Sequence, residues 1–256
     1  LQVSTSLSHH VYKVNQLQRY EADAAQLIGI NLWQLMQRAG AAVFQQIEEK
    51  FPNARELIII CGKGNNGGDG YIIAALAHQA GLSVTVVVKG ARESIADNAK
   101  LALEQLDSLP IKIMFYHDVA LIQQTVKNFQ GDLLVDCLFG IGFNGSLSPS
   151  YVQLITEINN TLCPRVSVDV PSGLNADLGT ISTMAVKATL TVTLIAYKQG
   201  LLSGQAANYV GNLQLEDLGV NQALAQLTKA VVFFQNAQNL PVIIKRQPCS
   251  HKGHVG

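Results

Sequence analysis

The chain has 256 residues, 48% hydrophobic and 14% charged, with 18 basic and 18 acidic side chains and a formal net charge of zero. That much apolar material supports one large buried core and excludes a mainly disordered chain, and no basic excess or stripe marks a nucleic-acid binder. No apolar run reaches the roughly 20 residues that a membrane helix needs.

The opening stretch, LQVSTSLSHHVYKVNQ, has no basic segment followed by an apolar one and is not read as a secretory signal. Two helices are expected next. In the second, Leu32, Leu35, Met36, Ala39 and Val43 recur at helical spacing and form one apolar face. That face could pack on the sheet or on a second chain, and a homo-oligomer is expected. From residue 56 onward strands and helices alternate. Strand 56–61 leads to a helix over 71–81 closed by Gly81. Strand 82–88, helix 96–106, strand 111–116, helix 119–129 and strand 132–139 follow. Pro149 and Ser150 mark the start of a helix over 151–159, and 165–170 and 188–196 are two more strands. The strands are continuous Val/Ile/Leu runs rather than strict alternations, which indicates a sheet covered on both faces. The pattern predicts a Rossmann-like three-layer α/β/α fold, with a mostly parallel, doubly wound sheet and extra N-terminal helices. Cys61, Cys137, Cys163 and Cys249 have no CxxC or metal-finger spacing and read as small reduced core residues of a cytoplasmic protein.

Ligands of open α/β sheets bind beyond the C-terminal ends of the strands, and three loops there carry unusual sequences. The first, after strand 56–61, is GKGNNGGDG (62–70). Gly62, Gly64 and Gly67 form a G-x-G-x-x-G pattern between a strand and a helix, where glycines let backbone approach a phosphate and the helix N-terminus favours an anion. A Cβ at Gly67 or Gly68 is therefore expected to block the ligand while leaving the fold intact. A dinucleotide dehydrogenase would place an acid at the end of the next strand, but Lys89-Gly90-Ala91-Arg92 stands there. That weakens the dehydrogenase reading and puts Lys89 and Arg92 where a ribose 2′-phosphate would be met.

The second loop, Gly140-Ile141-Gly142-Phe143-Asn144-Gly145-Ser146, repeats the glycine pattern after strand 132–139. Two such loops on one sheet indicate a ligand with two phosphates or two nucleotide halves. Asp136 lies inside that apolar strand, where a carboxylate is costly unless hydrogen-bonded, paired or bound to a cation. The third loop, VDVPSGLNADLG (168–179), carries Asp169 at a strand end, a candidate acid or base. Its Pro171 and Gly173 shape a sharp turn that presents Ser172. Asn66, Asp136 and Ser172 together offer one carboxylate and two neutral oxygens, a hard donor set that leans toward a monovalent cation.

With GKGNNGGDGY (62–71), VDCLFGIG (135–142) and VSVDVPSGLNADLG (166–179) in this order, and LMQRAG (35–40) ahead of them, the chain resembles the YjeF N-terminal domain family. Thr189, Thr191, Lys198 and Gly200 extend the resemblance, which covers roughly residues 10–220. It implies an epimerase that interconverts the R and S forms of NADHX and NADPHX, the hydrated nicotinamide cofactors. Asn65, Asn66, Gly67, Gly68 and Asp69, the loop Gly140 to Ser146, and Asp169 would contact the substrate, and Asn66, Asp136 and Ser172 would hold a potassium ion. Asp169 is the first choice for the acid/base and Asp69 the second, although Asp69 could instead cap its helix; Lys198 is the third. Asn175 stands where the family commonly has Asp. The tail RQPCSHKGHVG (246–256) resembles the start of an ADP- or ATP-dependent dehydratase domain. The chain is thus read as an epimerase domain (10–240) followed by a linker and the beginning of that partner (241–256). A non-catalytic binding or scaffold module on the same fold is the competing reading.

Overall fold

The computed structural model describes residues 10–233, so the dehydratase-like tail lies outside the described residues. Seven strands form one sheet: β2 (Glu56–Cys61), β3 (Ser83–Lys89), β4 (Lys112–Tyr116), β5 (Leu133–Cys137), β6 (Arg165–Val168), β7 (Leu190–Leu194) and β9 (Asn212–Glu216). Their order is β4-β3-β2-β5-β6-β7-β9, and every neighbouring pair is parallel. The chain moves outward in one direction from β2 to β4, then returns to the middle and moves the other way from β5. The C-terminal ends of β2 and β5 therefore flank the point where the winding reverses, which is where such sheets leave a crevice.

Alternate residues of the central strands serve different layers, as the twofold period of a strand requires. Leu57, Ile59, Cys61, Val86, Val88, Leu133 and Val135 face α2 (Leu32–Lys50), α3 (Asn65–Gln79) and α4 (Asp97–Leu106). Ile58, Ile60, Val87 and Leu134 face α5 (Val119–Lys127) and α6 (Pro149–Asn160). Both faces of β5 are buried without exception, which explains its unbroken apolar character apart from Asp136. Cys61 and Cys137 are buried in this core as expected.

Helix α2 starts at a reciprocal cap. The Gln34 backbone N–H donates to the Asn31 Oδ1 at 2.9 Å, and the Asn31 N–H to the Gln34 Oε1 at 3.0 Å. Of its apolar face, Leu35, Met36, Ala39 and Val43 are buried within this chain, chiefly against α3, while Leu32 is exposed.

A second, three-stranded sheet closes one side. Here β1 (His10–Tyr12) lies between β10 (Val232–Phe233), antiparallel to it, and β8 (Tyr197–Lys198), parallel to it, with Tyr12 opposite Lys198. Helix α1 (Val14–Leu27) follows at once. Its first N–H donates to Asp177 Oδ1 at 2.7 Å, and the Gln16 amide donates to Thr228 Oγ1 and the Lys229 carbonyl at 2.7 and 2.9 Å. It packs against α2 and α7 (Asn221–Leu227).

The expected start of one helix is wrong. The helix expected over 71–81 starts six residues earlier, at Asn65, so NNGGDG forms its first turns rather than a loop. Glycine disfavours helix by about 1 kcal/mol per residue relative to Ala, but packing overrides that preference here. A Cβ on Gly70 would come within 2.7 Å of the Cys61 Sγ, and one on Gly68 within 2.9 Å of the Ala99 Cα. Helix α3 lies deep against the sheet and α4 because these residues have no side chains.

Candidate functional site

A cavity of about 590 Å³ opens at the reversal point, within the usual size of small-molecule sites. Its floor is the segment after β2 (Gly62 to Asn66), the segment after β5 (Leu138 to Asn144), and the ends of β6 and β7. Its cover is α1 and α2, through Leu17, Glu21, Leu32, Leu35, Met36 and Ala39. The two glycine segments are stitched together by the Gly62 N–H, which donates to the Cys137 carbonyl at 2.9 Å.

Asp169 ends the sheet side of the cavity. Its backbone is left-handed, φ +67°, as are Ile195 at +69° and Leu218 at +55°. Among the described residues these are the non-glycine residues with positive φ, and all three line the cavity. Such conformations cost about 1–3 kcal/mol each and persist only where surroundings impose them. At Asp169 the imposed turn carries the carboxylate out of the strand. Its Oδ1 accepts from the Leu194 N–H at 3.1 Å and from the Lys198 ammonium, which reaches it from β8. Lys198 is almost fully buried and also donates to the Leu194 carbonyl at 2.6 Å and Thr193 Oγ1 at 3.0 Å.

Asp69 is buried in the second turn of α3 and lines the same cavity. The helix N-cap is Gly64, five residues earlier, so Asp69 is not the capping residue. Burial holds its carboxyl well above the usual carboxylate range, and the negative charges of Asp169 and Glu21 push it the same way, against the pull of Lys198. Glu21, on α1, was not singled out by the sequence. It is half-buried in the cavity wall, and burial followed by the charge of Asp169 raises its carboxyl too. Three carboxyls thus share one ammonium, an arrangement that favours keeping a proton in the cluster.

The expected ion ligands lie behind this cluster. The Asp136 carboxylate, completely buried, accepts from the Ser172 hydroxyl at 2.6 Å and N–H at 2.9 Å, from the Ser167 hydroxyl at 2.9 Å and the Leu138 N–H at 3.3 Å. Burial raises its pKa and these hydrogen bonds oppose the rise. The reading of Asp136 as a buried carboxylate satisfied by hydrogen bonds is met by backbone and hydroxyl donors, and no cationic side chain pairs with it among the described residues. The Ser172 hydroxyl in turn accepts from the Phe139 N–H at 2.9 Å. Asn66 differs, because both its amide atoms are buried without a hydrogen-bond partner among the described residues. Its amide lies close beside Gly140, where a Cβ would meet the Oδ1 at 3.5 Å. A buried amide oxygen left unpaired costs about 1–3 kcal/mol unless a ligand supplies the partner.

Of the expected substrate contacts, Asn65, Asn66, Asp69, Gly140, Ile141, Gly142, Phe143, Asn144 and Asp169 line the cavity, as does Lys198. Gly67, Gly68, Gly145 and Ser146 do not. Gly67 and Gly68 face protein atoms instead, which corrects the expectation that their lack of a side chain serves the ligand. Lys63 and Lys89 line the rim, whereas Arg92 pairs with Asp107 and is not part of the lining. Asn175 fills its place in the third loop well: its Oδ1 accepts from the Asp177 and Leu178 N–H groups at 3.0 and 2.9 Å, as an Asp would.

Residues 33–200 match the family described as YjeF-related protein N-terminus. The chain is 40% identical over 251 residues to the bifunctional NAD(P)H-hydrate repair enzyme Nnr of Vibrio cholerae, covering 98% of this chain and 49% of that protein. It is 36% identical over 190 residues to the NAD(P)H-hydrate epimerase of Limosilactobacillus fermentum, covering 74% of this chain and 88% of that one. The crystal structure of yeast ynu0, YNL200c, superposes with a TM-score of 0.65 at 25% identity, covering 74% of this chain and 82% of that one. The chain spans about half the length of the bifunctional relatives that it matches nearly end to end.

Proposed function

This chain belongs to the YjeF-related protein N-terminus family, and from that premise we propose that it is an NAD(P)H-hydrate epimerase domain that inverts the hydroxyl-bearing carbon of NADHX and NADPHX. The carrying observation is the cluster of Asp169, Lys198, Asp69 and Glu21 in the cavity at the reversal point. In the substrate the hydroxyl sits on the carbon beside the ring nitrogen. Protonation of that hydroxyl breaks the C–O bond and releases water, while the nitrogen lone pair forms the iminium. Water then adds to the same carbon and gives up a proton to a base, so the step is a balanced isomerisation.

Asp169 is the acid–base group at the hydroxyl, and Lys198 orients its carboxylate through Oδ1, which leaves Oδ2 for the substrate. The buried carboxyls provide negative charge beside the cationic ring. Apolar Leu17, Leu35 and Met36 in the cover limit the entry of bulk water.

The donor chemistry suits potassium, because Asn66 offers an unpaired buried amide oxygen and Asp136 and Ser172 carry further hard oxygens. When bound there, such an ion would supply positive charge to a site that offers hard, mostly neutral oxygen donors. Lys63 and Lys89 at the rim suit the phosphate end of the ligand. The C-terminal partner in a longer protein would be the ADP- or ATP-dependent dehydratase. No helix among the described residues is long and apolar enough to cross a membrane.

The test is exchange between separated R and S epimers of NADHX, followed by NMR or chromatography. Interconversion well above the uncatalysed rate supports the reading. Tight binding of NADHX without exchange would leave a binding module.

A further inference from the structure

Inverting the carbon requires water to leave from one face of the ring and return on the other. A single carboxyl at one wall serves only one face. Asp169 reaches the cavity from the end of β6, held against β7 by its N–H, which donates to the Val192 carbonyl at 2.8 Å. The wall contributed by α1 and α2 contains one titratable group, Glu21, among Leu17, Gln18, Leu32, Leu35, Met36 and Ala39. Asp69 belongs to the floor, on α3.

We propose that Glu21 is a second catalytic acid–base residue, working on the ring face opposite Asp169. The proposal rests on the epimerase reading and extends it to a residue outside the glycine and DVPSG motifs. Three observations support it. Glu21 makes no hydrogen bond among the described residues, whereas Asp169 is held by Lys198 and Leu194. A half-buried carboxyl in a cavity wall with no hydrogen bond to protein is free to bond a substrate hydroxyl or a water. The helix that carries it is fixed, since α1 is tied at its start to Asp177, Thr228 and Lys229. Finally, burial and the charge of Asp169 raise its pKa, which moves a glutamic acid toward the range where it can both give and take a proton.

In the step, a Glu21 carboxylic acid protonates the hydroxyl of the epimer whose C–O bond points at α1, and water departs on that side. Asp169, as carboxylate, then removes a proton from the water that adds on its own side. The reverse reaction exchanges the roles, and the two carboxyls together neither gain nor lose a proton over a cycle once solvent re-equilibrates them.

The experiment uses each purified epimer of NADHX in ¹⁸O-labelled water, with the wild-type chain, Glu21→Gln and Asp169→Asn. Glu21→Gln is isosteric and breaks no described hydrogen bond, so it should fold and bind NADH as the wild type does. Inversion should slow by about 10²–10⁴-fold, the usual loss for a general acid/base. One epimer should still take up ¹⁸O with its configuration retained, through Asp169, while the other takes up none. Asp169→Asn should give the converse pattern. Inversion by Glu21→Gln within a few-fold of wild type would overturn the proposal. So would equal loss of ¹⁸O uptake from both epimers, since Glu21 would then act through another group. A wild-type chain that exchanges neither epimer would remove the epimerase reading and this inference together.

Discussion

Gly67 lies directly against Gly62: a Cβ built on the former would overlap the carbonyl oxygen of the latter. The contact joins the start of α3 to the end of β2, and the overlapping atom is backbone, which cannot rotate aside. Gly67→Ala should therefore lower stability by at least the ~1–3 kcal/mol usual for overpacking, seen as a fall in Tm without substrate. Gly64 is the internal control. It lines the cavity, but its Cβ would meet nothing within 4 Å. Gly64→Ala should keep the wild-type Tm and, if this face meets the ligand, raise the Kd for NADH. A normal Tm for Gly67→Ala would refute the packing role.

Asn66 gives a way to separate ion binding from fold. Its amide has no protein hydrogen bond to lose, so Asn66→Ala should match or exceed the Tm of the wild type in a buffer whose only cation is a bulky organic one. Potassium should raise the wild-type Tm, since a ligand selective for the native state stabilises it, and should raise that of Asn66→Ala much less. Equal potassium shifts in both proteins would remove Asn66 from the ion site.

Asp69 makes the stability of the domain depend on pH with a definite sign. Its native pKa is raised, so the folded state holds this proton more tightly than the unfolded one. The proton-bound group fits the core at pH below the unfolded value of about 4, and the cost of ionising it grows as pH rises from there to the native pKa. Asp69→Asn removes that cost. The variant should be more stable than wild type at neutral pH, and the advantage should shrink as pH falls toward 4. Denaturant midpoints at several pH values measure it, and an advantage that grew on acidification would contradict the raised pKa.

Asp169→Asn tests the acid–base role and exposes a stability effect. Asn tolerates the left-handed backbone of this position, so the turn should persist. The Lys198 ammonium, however, loses its counter-charge in a buried site, and breaking such a pair typically costs about 3–5 kcal/mol. We expect inversion slowed by about 10²–10⁴-fold together with a lowered Tm. The double variant Asp169→Asn/Lys198→Met should recover part of the Tm and none of the activity. Recovery of activity in the double variant would show that Asp169 is not the acid–base group.

Much of the site was readable in the sequence because strand ends are places where chain order and spatial order coincide. Asp169 and Ser172 follow β6, and Asp136 lies within β5. The parallel sheet brings those ends together once the alternation of strands and helices is recognised. The start of α3 was misread because five glycines within nine residues carry a local signal for loop, and much of the packing that overrides it comes from Met36, Ala99 and Cys137, distant in sequence. Glu21 was invisible for a related reason. It sits among polar residues of α1, and only the docking of that helix decides which of them faces the cavity. Strands β1, β8 and β10 contain 3, 2 and 2 residues, too few for a periodicity to register.

Those three short strands also govern the order in which the domain can be completed. β1 stands at the beginning of the described chain and β10 at its end, yet they are neighbours, and β8, which carries Lys198, is joined to the pair through β1. On a ribosome, β2 to β7 and their helices can condense while synthesis continues, since their contacts link successive segments. The third strand of the ribbon behind Lys198 must await residues 232 and 233, and its pairing with β1 closes the longest loop in the described fold. A nascent or truncated chain that lacks β10 would hold a well-packed sheet and an under-supported lysine. Catalytic competence would thus arrive later in synthesis than compactness, and a stalled chain would look folded to a protease before it could turn over substrate.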